Sequence, residues 1–186
     1  MTTVSNKSIP QALKFLKSLE GVKRTGYCHD TPPDKEGPPF WIGPGPLPCL
    51  EEIQRKGSVC VGLGNLVRRY MGLEVPGKVT GKKLNDWPGG TESWFEYLSE
   101  EGRLEEISFQ QVYPPGTLLI QDFNTKDQGH IAITVDSSDL GLLKSTIIHN
   151  IADQHFYGTY IHTLDEYPNY QRHTHICLPQ NWLLKN

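Results

Sequence analysis

The chain has 186 residues, a formal net charge of −3 and a pI near 6.1; this suits one domain with a single core and, with no repeat and no block of like charge, excludes a nucleic-acid or anionic-membrane surface. Met1 to Ser8 hold no apolar stretch of signal-peptide length and no later stretch is long enough to span a bilayer, so a soluble chain is expected, cytoplasmic or delivered by a non-conventional route. Four cysteines at irregular spacing, in a domain that needs no staples, read as free thiols in a reducing compartment.

Residues 1–25 predict a first helix, capped by Ser8, with Pro10 in its opening turn, Leu13 and Leu16 inward and Gly21 at its end. Residues 26–57 form a Pro/Gly-rich stretch that forbids regular structure until a short helix over Pro48 to Lys56, with Leu50 and Ile53 inward. Tyr27, Phe40 and Trp41 in that stretch could wall a cleft or cap the core. Residues 58–103 are the helical part. Ser58 caps a helix whose apolar stripe is Leu63, Leu66, Val67, Tyr70 and Met71, with Arg68 and Arg69 off the stripe in its last turn. Gly62 and Gly64 each cost roughly 1 kcal/mol in a helix interior, which close approach to a neighbouring sheet would offset. After a solvated excursion carrying Lys78, Lys82 and Lys83, Thr91 caps another helix, with Trp94, Phe95, Tyr97 and Leu98 apolar and Gly102 at its end. Residues 107–180 turn extended, with strands expected at 110–113, 117–121, 129–135, 145–151, 156–161 and 172–178. Helices first and strands afterwards predict an α+β domain with a mainly antiparallel sheet.

Cys60 falls in the first turn of its helix, where the macrodipole and unpaired N–H groups favour a thiolate. Strands 130–135 and 145–151 form a hairpin around Ser137 to Gly141; a turn centred between Asp139 and Leu140 sets His130 opposite His149 on one face. A register slip of one residue would exchange His149 for Asn150. If the cysteine helix packs on that face, Cys60, His130 and His149 form nucleophile, base and orienting group.

Cys60-Val61-Gly62-Leu63 at a helix start, Gly129-His130-Ile131-Ala132-Ile133 on a strand and Ile148-His149 on the next resemble the NlpC-type cell-wall endopeptidases of the papain-like cysteine peptidase superfamily. Phe40-Trp41-Ile42-Gly43 resembles the family's aromatic-glycine segment, and Pro115-Gly116 its Pro-Gly-Asp turn. The resemblance spans residues 38 to 178 and implies a papain-like fold, a Cys-His-His triad and hydrolysis of a D-γ-glutamyl-diamino acid amide in a peptide or peptidoglycan fragment, without cofactor or metal. It also implies an oxyanion site at the Cys60 N–H with a second donor from upstream, for which Tyr27 is the candidate, with Trp41 beside the substrate. Val59, Val61 and Thr117 stand where the family has Asp, Ser and Asp; the changed neighbourhood leaves open a thiol deamidase, an acyltransferase, a protein-directed peptidase or a silent binding module.

The remaining histidines and cysteines have blander readings. His173, His175 and Cys177 alternate along the last strand and, with Cys28 or His29, include zinc-ligand types at loose spacing. His155 and His162 read as surface or packing histidines, Cys28 and Cys49 as cysteines without a helix-start context, and Trp87 and Trp182 as scattered surface aromatics that define no interface.

Overall fold

The computed structural model describes residues 7–25, 41, 46–76, 90–121, 129–152 and 157–184. The expectations for Tyr27, Cys28, His29, Phe40, Lys78, Lys82, Lys83, Trp87 and His155 lie outside these residues. The chain is α+β, as its pattern implies: five helices and six strands are described, the strands forming one antiparallel sheet in the order β1-β6-β2-β3-β4-β5.

Helix α1 (Ile9–Lys17) starts as its sequence dictates. Ser8 and Gln11 make a capping box that satisfies orphan N–H groups, and a proline occupies the opening turn. Ala12, Leu16 and the following Leu19 are sealed inside. Helix α2 (Leu50–Lys56) is capped by Cys49, so that cysteine does sit at a helix start; Ile53 is buried, whereas Leu50, expected inward, faces solvent.

Helix α3 (Cys60–Tyr70) is capped by Val59 rather than Ser58, which makes Cys60 its first residue. Ser58 instead bridges Arg24 in parallel: Ser58 N–H donates to Lys23 O and Thr25 N–H to Ser58 O, both at 3.0 Å. Gly57 makes this zipper possible. Its φ is +83°, and a Cβ there would meet Thr25 Oγ1 and lie 2.8 Å from Lys23 O. Gly64 answers its cost differently from the expected approach to a sheet: a Cβ would lie 3.2 Å from the Trp94 ring of helix α4 (Thr91–Glu100). Helix α4 is capped by Gly90, one residue before the expected Thr91. Arg68 is another departure. It is buried, donating from Nε to Glu74 O and from Nη1 to Trp182 O, both at 2.6 Å, so it closes the C-terminal end of α3 from inside.

Strands β2 (Leu118–Gln121), β3 (His130–Asp136), β4 (Thr146–Ala152), β5 (Tyr157–Thr163) and β6 (His175–Cys177) match the extended runs. Residues 110–113 do not form the expected strand; Tyr113 is buried there and its hydroxyl accepts from Ser108 N–H. Strand β1 (Glu105–Glu106) was invisible to pattern because two glutamates carry no alternation, and it exists only through pairing with β6. Thr117, directly after Pro115-Gly116, donates its hydroxyl to Pro114 O at 2.8 Å and so serves the turn itself.

The two faces of the sheet are covered separately. Leu118, Ile120, Ile131, Ile133, Val135, Ile148 and Cys177 pack under the helices. Leu119, Ala132, Ile147 and Ile176 pack on the opposite face with Tyr113, Leu142 and Leu164. Helix α5 (Pro179–Leu183) carries Trp182 into the first core, fully buried, with Nε1 donating to Gly116 O at 2.8 Å; it is no surface aromatic. No helix among the described residues is long and apolar enough to cross a membrane.

Candidate active site

His130 opens β3 directly after Gly129, whose φ is +72° and where a Cβ would lie 3.0 Å from Gln121 O and collide with the Thr91 methyl. Only glycine lets the chain enter the strand there. The hairpin register differs from the symmetric turn. Ile133 pairs with Ile148, where a turn centred at 139/140 would give it Thr146, and a bulge lies between Thr134 and Asp136. The shift is two residues, and an even shift preserves the face. His130 and His149 therefore still meet, with His130 Nε2 3.0 Å from His149 Nδ1 and ring centroids 5.2 Å apart.

Two further histidines join them. His149 Nε2 lies 2.7 Å from His162 Nε2, so His162 is not the bystander its sequence context suggests. His173 stands 5.5 Å from His130 between ring centroids, and Tyr167 lies 4.7 Å from His149 and 5.6 Å from His130. Four of the chain's seven histidines thus share one buried cluster. Their strand spacing alone could not show it, because His173 and Tyr167 arrive on the turns that follow β5.

Cys60 comes to β3 from the helical side. The described ladder between β3 and β4 stops at Ile133↔Ile148, although β3 begins at His130 and β4 continues to Ala152. Past that point the Asn150 carbonyl accepts from Arg24 Nη1 at 3.1 Å, and the N–H groups of Ile131, Val61 and Cys60 favour negative charge on the Cys60 sulfur. The Arg24 charge acts on both Cys60 and His130, but His130 and His149 share the sheet face of Ala132 and Ile147, opposite the face that the helices cover. No hydrogen bond joins Cys60 to His130 among the described residues. Asn150, the alternative third residue, is committed elsewhere: its amide donates to Thr159 Oγ1 at 2.9 Å and its carbonyl serves Arg24.

Electrostatics correct the thiolate expectation. Burial pushes the Cys60 thiol up, outweighing Arg24 and the helix-mouth N–H groups. Burial pushes His130 well down, with His149, His173, Arg24 and Arg172 adding to it, and lowers His149 likewise. The resting pair is a neutral thiol and a neutral imidazole. His173 falls to about 4, again through burial; its Nδ1–H donates to Tyr170 O at 2.9 Å, and its Nε2 is buried without a hydrogen-bond partner.

The remaining expectations separate. Trp41 is 3 % exposed and donates its indole N–H to Gly57 O at 3.1 Å, so it pins the turn before Ser58 and has no free donor for an oxyanion. His173, His175 and Cys177 do not share a face, because the 3-10 turn Tyr170–Arg172 delivers His173 to the histidine cluster while His175 sets its ring against Phe95 at 5.2 Å on the helical side. Cys177 lies in the helical core, where burial pushes its thiol to about 12. No group of three metal-ligating side chains converges among the described residues. Cys49, Cys60 and Cys177 are free thiols. A cavity of about 380 Å³ lined by Arg68, Tyr97 and Arg103 opens at the end of α3 opposite Cys60.

No family model, curated protein or solved structure matches the chain.

Proposed function

We propose that the protein is a papain-like cysteine amidohydrolase in which Cys60 is the nucleophile, His130 the general base and His149 the residue that orients it. The observation that carries this reading is the 3.0 Å contact between His130 Nε2 and His149 Nδ1, together with a cysteine at the first position of a helix that packs on β3. With Nε2 engaged, Nδ1 is the His130 nitrogen available to a thiol. Because both partners rest neutral, the proton leaves Sγ as the sulfur attacks rather than beforehand. Sγ closes on Nδ1 when substrate is seated, as catalytic hydrogen bonds commonly tighten only in the complex.

The thiolate adds to an amide carbonyl, forming the C–S bond and placing the electron pair on oxygen. The Cys60 N–H and the Arg24 charge favour that oxyanion, with Tyr27 the second donor implied by the resemblance. The imidazolium then gives its proton to the departing amine as the C–N bond breaks, and water hydrolyses the thioester. Peptidoglycan stem peptides with a D-γ-glutamyl-diamino acid bond are the substrate class, on the strength of the motifs around Cys60, His130 and His149.

Mass spectrometry of defined stem peptides and intact muropeptides, incubated under reducing conditions with the wild type and with Cys60→Ala, tests both parts. Cleavage beside D-glutamate in the wild type, lost by about a thousandfold or more in the variant, is the expected outcome. Intact substrate with a Cys60 that is alkylated selectively by iodoacetamide would overturn the substrate class and keep the chemistry. Cleavage undiminished in Cys60→Ala would overturn Cys60 as the nucleophile.

A further inference from the structure

His149 uses both ring nitrogens, Nδ1 toward His130 at 3.0 Å and Nε2 toward His162 at 2.7 Å. We infer that His162 is a positioning residue that turns this pair into a three-imidazole relay, whose outer end at Glu166 fixes which nitrogen of His130 is basic. The inference rests on the reading of Cys60 and His130 as nucleophile and base.

A neutral imidazole has one N–H and one bare nitrogen. Three rings joined through these contacts have two self-consistent arrangements, with every N–H pointing outward or every N–H pointing inward. Glu166 biases the choice through its charge rather than through a hydrogen bond, because His162 Nδ1 is buried and makes no hydrogen bond. Its Oε2 lies 3.8 Å from His162 Nδ1 and is held by the Thr163 N–H at 3.0 Å, in the capping box of the 3-10 turn Leu164–Glu166. An ionised carboxylate only accepts, so it favours the proton on His162 Nδ1. His162 Nε2 is then bare and accepts from His149 Nε2–H. His149 Nδ1 is bare in turn and accepts from His130 Nε2–H. His130 Nδ1 is left with its lone pair, which general-base chemistry needs; the inward arrangement would present a proton there instead.

The same chain moves charge. When the S–H bond of Cys60 breaks and Nδ1–H forms, His130 is an imidazolium. Its Nε2 proton passes to His149 Nδ1, and the His149 Nε2 proton passes to His162 Nε2, one N–H breaking for each that forms. The positive charge ends on His162 beside Glu166, whose side chain is 61 % exposed, and the reverse sequence returns a proton to the leaving amine. Burial gives the relay its purpose. Around His130 stand His149, His173, Tyr167, Arg24 and Arg172, and around His149 stand His130, His162, His173 and Tyr167, with no carboxylate among the groups seen to act on either. A cation is costly there and less so beside Glu166.

Two-bond proton–nitrogen correlation of the histidine rings in the intact ¹⁵N-labelled protein reads the tautomers directly, alongside the pH profile of Cys60 alkylation by iodoacetamide. The wild type is expected to hold His130 and His149 as Nε2–H tautomers. His162→Phe removes the acceptor and should mix the His149 tautomers and slow Cys60 alkylation about tenfold; His162→Gln, which offers a carbonyl oxygen, should restore most of both. Glu166→Gln should shift the tautomers the same way with the fold intact. Nδ1–H tautomers in the wild type, or tautomers and profile unmoved in His162→Phe, would overturn the relay. Nε2–H tautomers with stem-peptide cleavage undiminished in Cys60→Ala would support the relay and refute the nucleophile, so the two failures are separable.

Discussion

The helical face of the sheet and the histidine face are built from opposite chemistry. Under the helices, Trp94, Trp182, Leu66, Leu98, Ile131 and Ile133 bury large apolar side chains, each stabilising by about 1.5–3 kcal/mol. On the other face a smaller apolar patch ends in four imidazoles and Tyr167, where two ring-to-ring contacts link His130, His149 and His162 while His162 Nδ1 and His173 Nε2 are buried and make no hydrogen bond. The helical face holds the fold in place, and that rigidity lets the histidine face keep neutral rings in contact where each would otherwise be solvated. Cys60 belongs to the helical face, at the start of α3, where the Ile131 N–H of β3 reaches its sulfur.

The largest separation of the two faces should come from Trp94→Ala. Its ring meets Trp182 edge-on at 5.7 Å and its Nε1 donates to Asn65 Oδ1 at 2.8 Å, so truncation leaves both a cavity and a buried unpaired acceptor. Urea unfolding should show a loss of about 4 kcal/mol, while the histidine tautomers of the remaining folded protein stay as in the wild type. A tautomer change would mean that the faces are coupled through the sheet.

Titration should break the faces at opposite ends of the pH scale. His173, lowered to about 4, takes up its proton in the unfolded chain before it does in the folded one. Stability is therefore lost as pH falls from about 6.5 toward 4, by on the order of 3 kcal/mol for this group, with His130 and His149 adding in the same direction. Cys177, raised to about 12, keeps its proton in the folded state while the unfolded chain ionises, so it removes stability as pH rises from about 9. Denaturation curves from pH 4 to 11 should show both limbs, with His173→Phe flattening only the acid one and Cys177→Ala only the alkaline one. An acid limb unchanged in His173→Phe would contradict the burial of that ring.

How far each face could be read from the chain follows from the range of the forces that make it. The helical face repeats within a few residues, so Leu63, Leu66, Val67 and Trp94 declare themselves by spacing, and Gly129-His130 and Cys60 by local motif. His130 and His149 were legible as a pair although the assumed register was wrong by two, because sheet parity rather than register decides the face. His162, His173 and Arg24 were not legible. His162 reaches the cluster through β4–β5 pairing, His173 through a turn that reverses its face, and Arg24 through a zipper to Ser58 that no periodicity announces.

Gly64→Ala gives the smallest effect and the finest test of why the helical face is rigid. Helix propensity alone favours alanine by about 1 kcal/mol. Against that, the new Cβ would lie 3.2 Å from the Trp94 ring, tighter than ordinary packing, so the ring must yield by a few tenths of an ångström. It is poorly placed to do so, because Asn65 holds its Nε1, Trp182 abuts it edge-on and the Arg68 guanidinium lies 5.8 Å from the ring. The propensity gain should therefore be cancelled or reversed in the wild type, giving a loss of up to about 1 kcal/mol. In a Trp94→Leu background, with the ring edge removed, the same substitution should stabilise by about 1 kcal/mol. A change of sign between the two backgrounds, measured as a double-mutant cycle, would locate the constraint in the contact of one glycine with one indole; equal effects in both would place it in the helix backbone instead.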